Sequence, residues 1–147
     1  MARAAPFHLT ISLKQQKKIK SEMNMKVDIA IMKPNACYSN AGWIILDNPT
    51  VKYVIGLIEI NGSYCFHAWN ERSDGEIFDV TNDLFIKKEL RYYPMKKFSH
   101  AQFNRHLDSH ENKYGEITLA SPRVVFGKKY VKDLATRYSL HPKDIAP

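Results

Sequence analysis

The chain has 147 residues, of which 44% are hydrophobic, and a formal net charge of +7. This length and apolar content suit a single domain that buries its own core. The sequence contains no run of 18 apolar residues and no apolar segment behind its N-terminus that resembles a secretory signal, which predicts a cytoplasmic protein with no membrane partner. Its two cysteines are too few for a disulfide framework, so both are expected to be thiols.

The charge is concentrated at the two ends of the chain. Residues 1–26 hold six basic residues against one acidic, and residues 121–147 hold six against two, so the middle has a net charge of −2. We therefore divide the single domain, 1–147, into a basic N-terminal segment, a core over 27–120 and a basic C-terminal segment. Such ends attract phosphate-rich partners, including nucleic acid. Solvated lysines that maintain solubility give the same pattern, and no nucleic-acid-binding motif accompanies them.

Alternating apolar residues predict two extended segments before the first helix. One runs from Phe7 to Leu13 and precedes a basic segment, Lys14 to Lys20. The other runs from Val27 to Ile31 and leads to Pro34. The first is predicted to be a short strand, and the second an extended approach to Pro34.

A helix of about three turns is predicted from Ala36 to Asp47. Asn35 is a favourable N-cap residue, and Asn48-Pro49 ends the helix. Cys37 then lies in the first turn, where unpaired N–H groups and the helix dipole favour a thiolate. A free cysteine is otherwise a small buried apolar residue, so a structural role stays open.

Two strands, Val51 to Ile60 and Ser63 to Glu71, are predicted to form a hairpin. Asn61-Gly62 joins them, and both residues of this turn tolerate positive φ. In the two-residue register Gly56 lies opposite His67. The glycine is either an ordinary strand residue or a gap that admits a thiol or a substrate backbone beside the imidazole.

A second hairpin is predicted between Ser63 to Glu71 and the run from Glu76 to Thr81. If Ser73 to Gly75 form a three-residue loop, Asp79 falls diagonally from His67, close enough for its carboxylate to orient the imidazole. A two-residue loop would place the two side chains on opposite faces of the sheet. We predict the first register.

Two further groups of residues are functional candidates. Cys65 shares the strand face of His67 but lacks the helix-end field, so core packing is predicted for it. His106 and His110 have metal-ligand spacing, but no carboxylate or cysteine pattern completes a site, and surface histidines are expected. The sequence therefore predicts neither a metal nor a cofactor.

The C-terminal half is predicted to contain short elements around a longer helix. Ser99 is expected to cap this helix, which runs through His110 and turns Phe103 and Leu107 to one side. The remaining predicted elements are a helix or loop over Leu84 to Leu90, a strand over Val124 to Phe126 and a helix over Tyr130 to Tyr138 whose Val131, Leu134 and Ala135 pack inward.

Four sequence features in this order resemble the transglutaminase-like branch of the papain-like cysteine enzymes. They are Cys37, the YVIG run from Tyr53, the HAWNE run from His67 and the DVT run from Asp79. The resemblance covers about a third of the chain, residues 36–82. It implies an α+β fold in which a helix that opens with the cysteine packs on an antiparallel sheet, with His and Asp on neighbouring strands.

The resemblance also implies a catalytic triad. Cys37 would be the nucleophile, His67 the base and then the acid, and Asp79 the group that fixes the imidazole tautomer, as the residue chemistry itself suggests. Asn35 and Asn40 are candidates for oxyanion stabilisation or positioning, together with the Cys37 backbone N–H. The candidate substrate-binding positions are Gly56 and Trp69.

Two classes of function follow from these features. The first is a cysteine hydrolase or acyltransferase that acts on an amide or peptide bond of a protein or peptide substrate through a thioester. The second is a non-catalytic binding or inhibitory protein that uses its basic ends on nucleic acid or a nucleoprotein. The acyl acceptor, water or an amine, is left open by these residues, and so is the oligomeric state.

Overall fold

The computed structural model describes residues 25–114 and 121–140. The predicted strand Phe7 to Leu13 and the basic segment after it lie outside the described residues. Within the described ranges no helix is long and apolar enough to cross a membrane. The helices and strands are α1 (Cys37–Asp47), β1 (Lys52–Ile60), β2 (Ser63–Glu71), β3 (Ile77–Phe78), β4 (Arg91–Phe98), α2 (His100–Tyr114), α3 (Pro122–Phe126) and α4 (Lys128–Tyr138).

The strands form one curled antiparallel sheet in the order β3-β2-β1-β4, with helices packed against it. The predicted α+β class is therefore confirmed. The β1–β2 turn is the predicted one, since Asn61 and Gly62 have φ of 52° and 79° and Ile60 pairs directly with Ser63. This register places Gly56 opposite His67.

The second hairpin has the predicted three-residue loop. Asn70 pairs with Phe78, and the Arg72 N–H donates to the Glu76 carbonyl at 2.8 Å. Gly75 closes the loop with φ of 88°. Continuing this register places Asp79 level with Trp69 on the neighbouring strand, one diagonal step from His67.

The strand after this loop is shorter than predicted. β3 ends at Phe78, and the chain then enters a helical turn that continues as a π-helical turn over Asn82–Ile86. Asp79 causes the change, because its Oδ1 accepts from the Asn82 N–H at 3.1 Å and its carbonyl accepts from the Asp83 N–H at 2.9 Å. The carboxylate thus caps the turn in the way an N-cap aspartate does.

Two segments that were predicted to be extended are helical instead. Ile29–Ile31 form a short 3₁₀-helix because the Asp28 side chain accepts from the Ala30 N–H at 3.1 Å. The predicted strand Val124 to Phe126 lies in α3, which begins at Pro122, a residue that favours the first turn of a helix.

The predictions for α2 and α4 are confirmed. Ser99 Oγ accepts from the Gln102 N–H at 3.2 Å, and Gln102 Oε1 accepts from the Ser99 N–H at 2.8 Å, which makes a capping box. Phe103 and Leu107 are buried, as are Val131 and Leu134 of α4.

Apolar side chains pack on both faces of the sheet. The main core joins α1 and α2 to the face that carries Tyr53, Ile55 and Ala68. Val131 and Leu134 of α4 extend this packing over Leu57 and Phe66. The opposite face holds a smaller cluster of Val54, Ile58 and Trp69, with Tyr92 packed against it.

Candidate active site

The imidazole of His67 and the carboxylate of Asp79 form a buried pair. His67 Nε2 lies 2.8 Å from Asp79 Oδ2, and the two residues are only 4% and 2% exposed. The strand register that brings them together is the one expected from the Ser73 to Gly75 loop. A buried carboxylate this close fixes the orientation of the ring.

Cys37 completes a row of three polar groups. Burial lowers the pKa of His67, but the hydrogen bonds to Asp79 and Cys37 and the charges of both raise it from 6.5 to about 10. Since Nε2 faces Asp79, Nδ1 is the ring nitrogen left for the sulfur. Cys37 is half-buried at the first residue of α1, so the residue as a whole is not closed off from solvent.

Asp79 has hydrogen-bonded partners on both carboxylate oxygens. Oδ1 accepts from the Asn82 N–H, while Oδ2 accepts from Tyr92 Oη at 2.8 Å as well as facing His67. Three partners hold the carboxylate in one orientation. Burial, followed by the charge of this carboxylate, raises the pKa of the Tyr92 phenol.

Asn40 joins the cysteine helix to the aspartate segment. Its Nδ2 donates to the Lys33 carbonyl at 2.8 Å and to Thr81 Oγ1 at 2.9 Å, and its Oδ1 accepts from the Lys33 N–H at 3.0 Å. Both amide hydrogens are therefore used inside the protein. Of the two predicted roles, these contacts fit positioning. They tie the first turns of α1 to Thr81, which follows Asp79 by two residues in the chain.

Asn35 does not cap the helix as predicted. It is exposed and has φ of 58°, and the residue at the N-cap position is Ala36, which makes no side-chain cap hydrogen bond. The left-handed conformation, which asparagine tolerates, turns the chain into the helix instead. The Asn40 N–H donates to the Ala36 carbonyl at 2.8 Å, so the Cys37 N–H precedes the helical ladder.

Gly56 has a different use from the predicted gap for a thiol or substrate. A Cβ at this position would lie 2.2 Å from the Tyr93 carbonyl oxygen and 3.0 Å from Pro94 Cα. The space is thus filled by the backbone of β4, which passes close to β1 at a bulge. The glycine serves sheet packing.

Trp69 is a buried neighbour of the imidazole. It is 2% exposed, and its ring stacks at 6.1 Å from the His67 ring and meets the Tyr92 ring edge-on at 4.9 Å. A side chain so enclosed supports His67 from the side. The predicted direct contact with substrate would require the Trp69 ring to become exposed.

The remaining candidates lie apart from this row. Cys65 is half-buried and packs beside Val54, Ile58 and Trp69, in line with its predicted packing role. His106 lies against the Phe98 ring, 5.7 Å between centroids, so it is not a purely solvated side chain. Over residues 25–108 and 121–140, whose side chains the structure describes, no group of three His, Cys, Asp or Glu residues could hold a metal ion, and the His110 side chain lies outside them.

Tyr92 is the site residue that the sequence prediction missed. It belongs to β4, a strand absent from the predicted elements, and Pro94 in this strand lacks the N–H that a central strand needs. Pro94 is tolerated because β4 lies at the edge of the sheet. The available signal was the apolar and aromatic content of residues 91–98.

Comparison with known proteins assigns no family to the chain. No family model, no curated protein and no solved structure matches it. What the fold and the site define is an α+β domain whose antiparallel sheet carries a buried imidazole between a thiol and a carboxylate. Its function is inferred below from the chemistry of these groups.

Proposed function

We propose that this protein is a cysteine hydrolase or acyltransferase that acts on an amide or peptide bond and belongs to the papain-like, transglutaminase-like group of folds. The observation that supports it is the position of His67, hydrogen-bonded to the Cys37 side chain and to Asp79 in a buried site. A thiol beside an oriented imidazole is the arrangement that activates a cysteine nucleophile.

In the first step the Cys37 sulfur attacks the carbonyl carbon of the scissile amide. The proposal pairs the attacking sulfur, as a thiolate, with a protonated His67, because the raised pKa of His67 favours the imidazolium near neutral pH. As the carbon–nitrogen bond breaks, the imidazolium gives its proton to the departing amine. A thioester between Cys37 and the acyl group remains.

In the second step an acceptor cleaves the thioester. Neutral His67 takes a proton from water or from an amine, the acceptor attacks the carbonyl carbon, and the carbon–sulfur bond breaks to return the thiolate. Asp79 holds the ring in one orientation and balances its positive charge through both transfers. Because a small single domain suits hydrolysis, we favour water as the acceptor.

The carbonyl oxygen becomes negative during the attack and needs donors. The Cys37 backbone N–H, at the open start of α1, is the donor that the helix geometry offers. The proposal takes a protein or peptide as substrate and needs no cofactor. A nucleophilic thiol works in a reducing compartment, so the proposal assigns the protein to the cytoplasm.

The test is the pH dependence of iodoacetamide modification at Cys37, measured by peptide mass spectrometry. Cys65 in the same sample is the internal control. We expect Cys37 to react faster than Cys65 at neutral and slightly acidic pH, and to lose that advantage in His67→Ala. A Cys37 that reacts slowly and ignores His67 would identify a structural cysteine and refute the enzyme proposal.

Binding to nucleic acid is the second candidate function, and the surface of α4 favours it. Lys128, Lys129 and Lys132 are exposed on this helix, and Tyr130 is 48% exposed among them. Basic and aromatic side chains together suit a phosphate backbone and unstacked bases. Strongly salt-dependent retention on single-stranded DNA that persists in Cys37→Ala and is lost in Lys129→Glu would support this function.

A further inference from the structure

Tyr92 reaches the candidate site from the far side of the sheet. β4 is the edge strand next to β1, whereas Asp79 follows β3 at the opposite edge. The tyrosine hydroxyl nevertheless lies 2.8 Å from Asp79 Oδ2. The curl of the sheet and the close approach of β4 at Gly56 make this contact possible.

The hydroxyl and the imidazole share one oxygen atom. Tyr92 Oη and His67 Nε2 both lie 2.8 Å from Asp79 Oδ2, while Oδ1 faces the Asn82 N–H. A carboxylate oxygen that accepts two hydrogen bonds has less negative charge available for each donor. Tyr92 therefore competes with His67 for the charge of Asp79.

We propose that Tyr92 is a positioning residue that acts on His67 through Asp79: its hydroxyl orients the carboxylate and weakens the stabilisation that the carboxylate gives to the imidazolium. The effect keeps His67 able to release its Nδ1 proton during amide cleavage. The part that Tyr92 plays in catalysis rests on the proposed function, whereas its effect on the titration of His67 does not.

The surroundings of Asp79 make Tyr92 a permanent donor. Burial and the charge of Asp79 raise the pKa of the phenol, and the Asp83 carboxylate adds to this. The phenol therefore stays protonated over the pH range in which the site works, and it can donate its hydrogen bond throughout that range. The titratable groups that face Asp79 or its partners are His67 from β2, Tyr92 from β4, Asp83 from the π-helical turn and Cys37 through His67.

The test is an NMR titration of the His67 ring in Tyr92→Phe, carried out in a Cys37→Ala background so that the thiol does not titrate with it. The substitution removes only the hydroxyl and keeps the ring that contacts Trp69 edge-on. We expect the midpoint of the His67 titration to rise by about one pH unit, since one hydrogen bond to the carboxylate is lost. A role limited to packing would leave the midpoint unchanged.

Tyr93→Phe is the matched control. The Tyr93 hydroxyl donates to Glu59 Oε1 at 3.1 Å and its ring lies against Tyr64, away from Asp79. We expect no change in the His67 titration. A midpoint that stays constant or falls in Tyr92→Phe, or that moves equally in both variants, would overturn the proposal.

A second measurement covers the case in which Tyr92→Phe does not fold. Incorporating 3-fluorotyrosine throughout the Cys37→Ala chain makes every phenol a stronger donor, so the His67 midpoint should fall. An unmoved or rising midpoint would overturn the role of Tyr92. The iodoacetamide result decides the enzyme proposal separately, because a slow Cys37 is compatible with either outcome of the His67 titration.

Discussion

The two partners of His67 are held in contrasting ways. Asp79 is almost fully buried, and its carboxylate meets His67, Tyr92 and the Asn82 N–H. Cys37 is half-buried at a helix start without a side-chain cap. A group that only orients and balances charge benefits from rigid enclosure, whereas a nucleophile must stay accessible to a carbonyl carbon. The contrast supports Asp79 as the fixed end of the row and Cys37 as the reacting end.

Replacing Asp79, the buried end of the row, should give the largest loss of stability among these variants. Asp79→Ala leaves His67 and Tyr92 without their common acceptor and uncaps the turn at Asn82, so we expect a loss of about 3 to 5 kcal/mol in the free energy of unfolding. Urea denaturation measures it. Asp74→Ala, an exposed aspartate in the hairpin loop, should cost less than about 1 kcal/mol. Equal losses in the two variants would contradict the contrast.

Gly56→Ala should disturb the fixed end indirectly. The added methyl would collide with the Tyr93 carbonyl oxygen, so β4 must shift, and Tyr92 moves with it. We expect a loss of about 3 kcal/mol and a changed His67 resonance. Gly62→Ala, at φ of 79° with open space around it, should cost about 1 kcal/mol and leave His67 unaffected. A fully stable Gly56→Ala would show that β4 approaches less closely.

Asn40→Ala should loosen the reacting end. The Lys33 peptide groups and the Thr81 hydroxyl lose their amide partner, which should cost about 2 to 3 kcal/mol and slow iodoacetamide modification of Cys37. Asn104→Ala, a change in α2 where the amide only contacts His100, is the control and should do neither. Unaltered Cys37 reactivity in a destabilised Asn40→Ala would restrict Asn40 to a folding role.

The pH dependence of stability sharpens the comparison further, and the change expected for each pH unit is the smallest of these effects. The pKa of His67 is raised from 6.5 to about 10 in the folded protein. The charged pair therefore contributes fully below pH 6.5, and its contribution is lost as the pH rises through about 10. We expect the free energy of unfolding to fall across this window by up to about 1.4 kcal/mol per pH unit.

His67→Gln is the reference for that titration, because subtracting its curve removes the contributions of other groups. The difference between parent and variant should shrink as the pH rises. A difference that stays constant across the window would show that His67 titrates with the same pKa in the folded and unfolded states.

Local sequence was sufficient to predict the two hairpins that bring His67 and Asp79 together. Asn61-Gly62 and the Ser73 to Gly75 loop both dictate turns, and turn length sets which side chains share a strand face. The diagonal pairing of His67 with Asp79 followed from these loops. The helix that opens at Cys37 was also predictable, although its start uses Ala36 and a left-handed Asn35 rather than an asparagine cap.

Contacts between distant segments required the tertiary structure. Asn40 bonds to Thr81 across 41 residues, and Tyr92 joins Asp79 from the opposite edge of the sheet. Neither pairing leaves a local pattern, since each joins segments that are far apart in the chain, and the second also depends on how closely β4 approaches Gly56. Turn chemistry in the sequence thus determined the imidazole–carboxylate pair, whereas long-range packing decided what holds that pair in place.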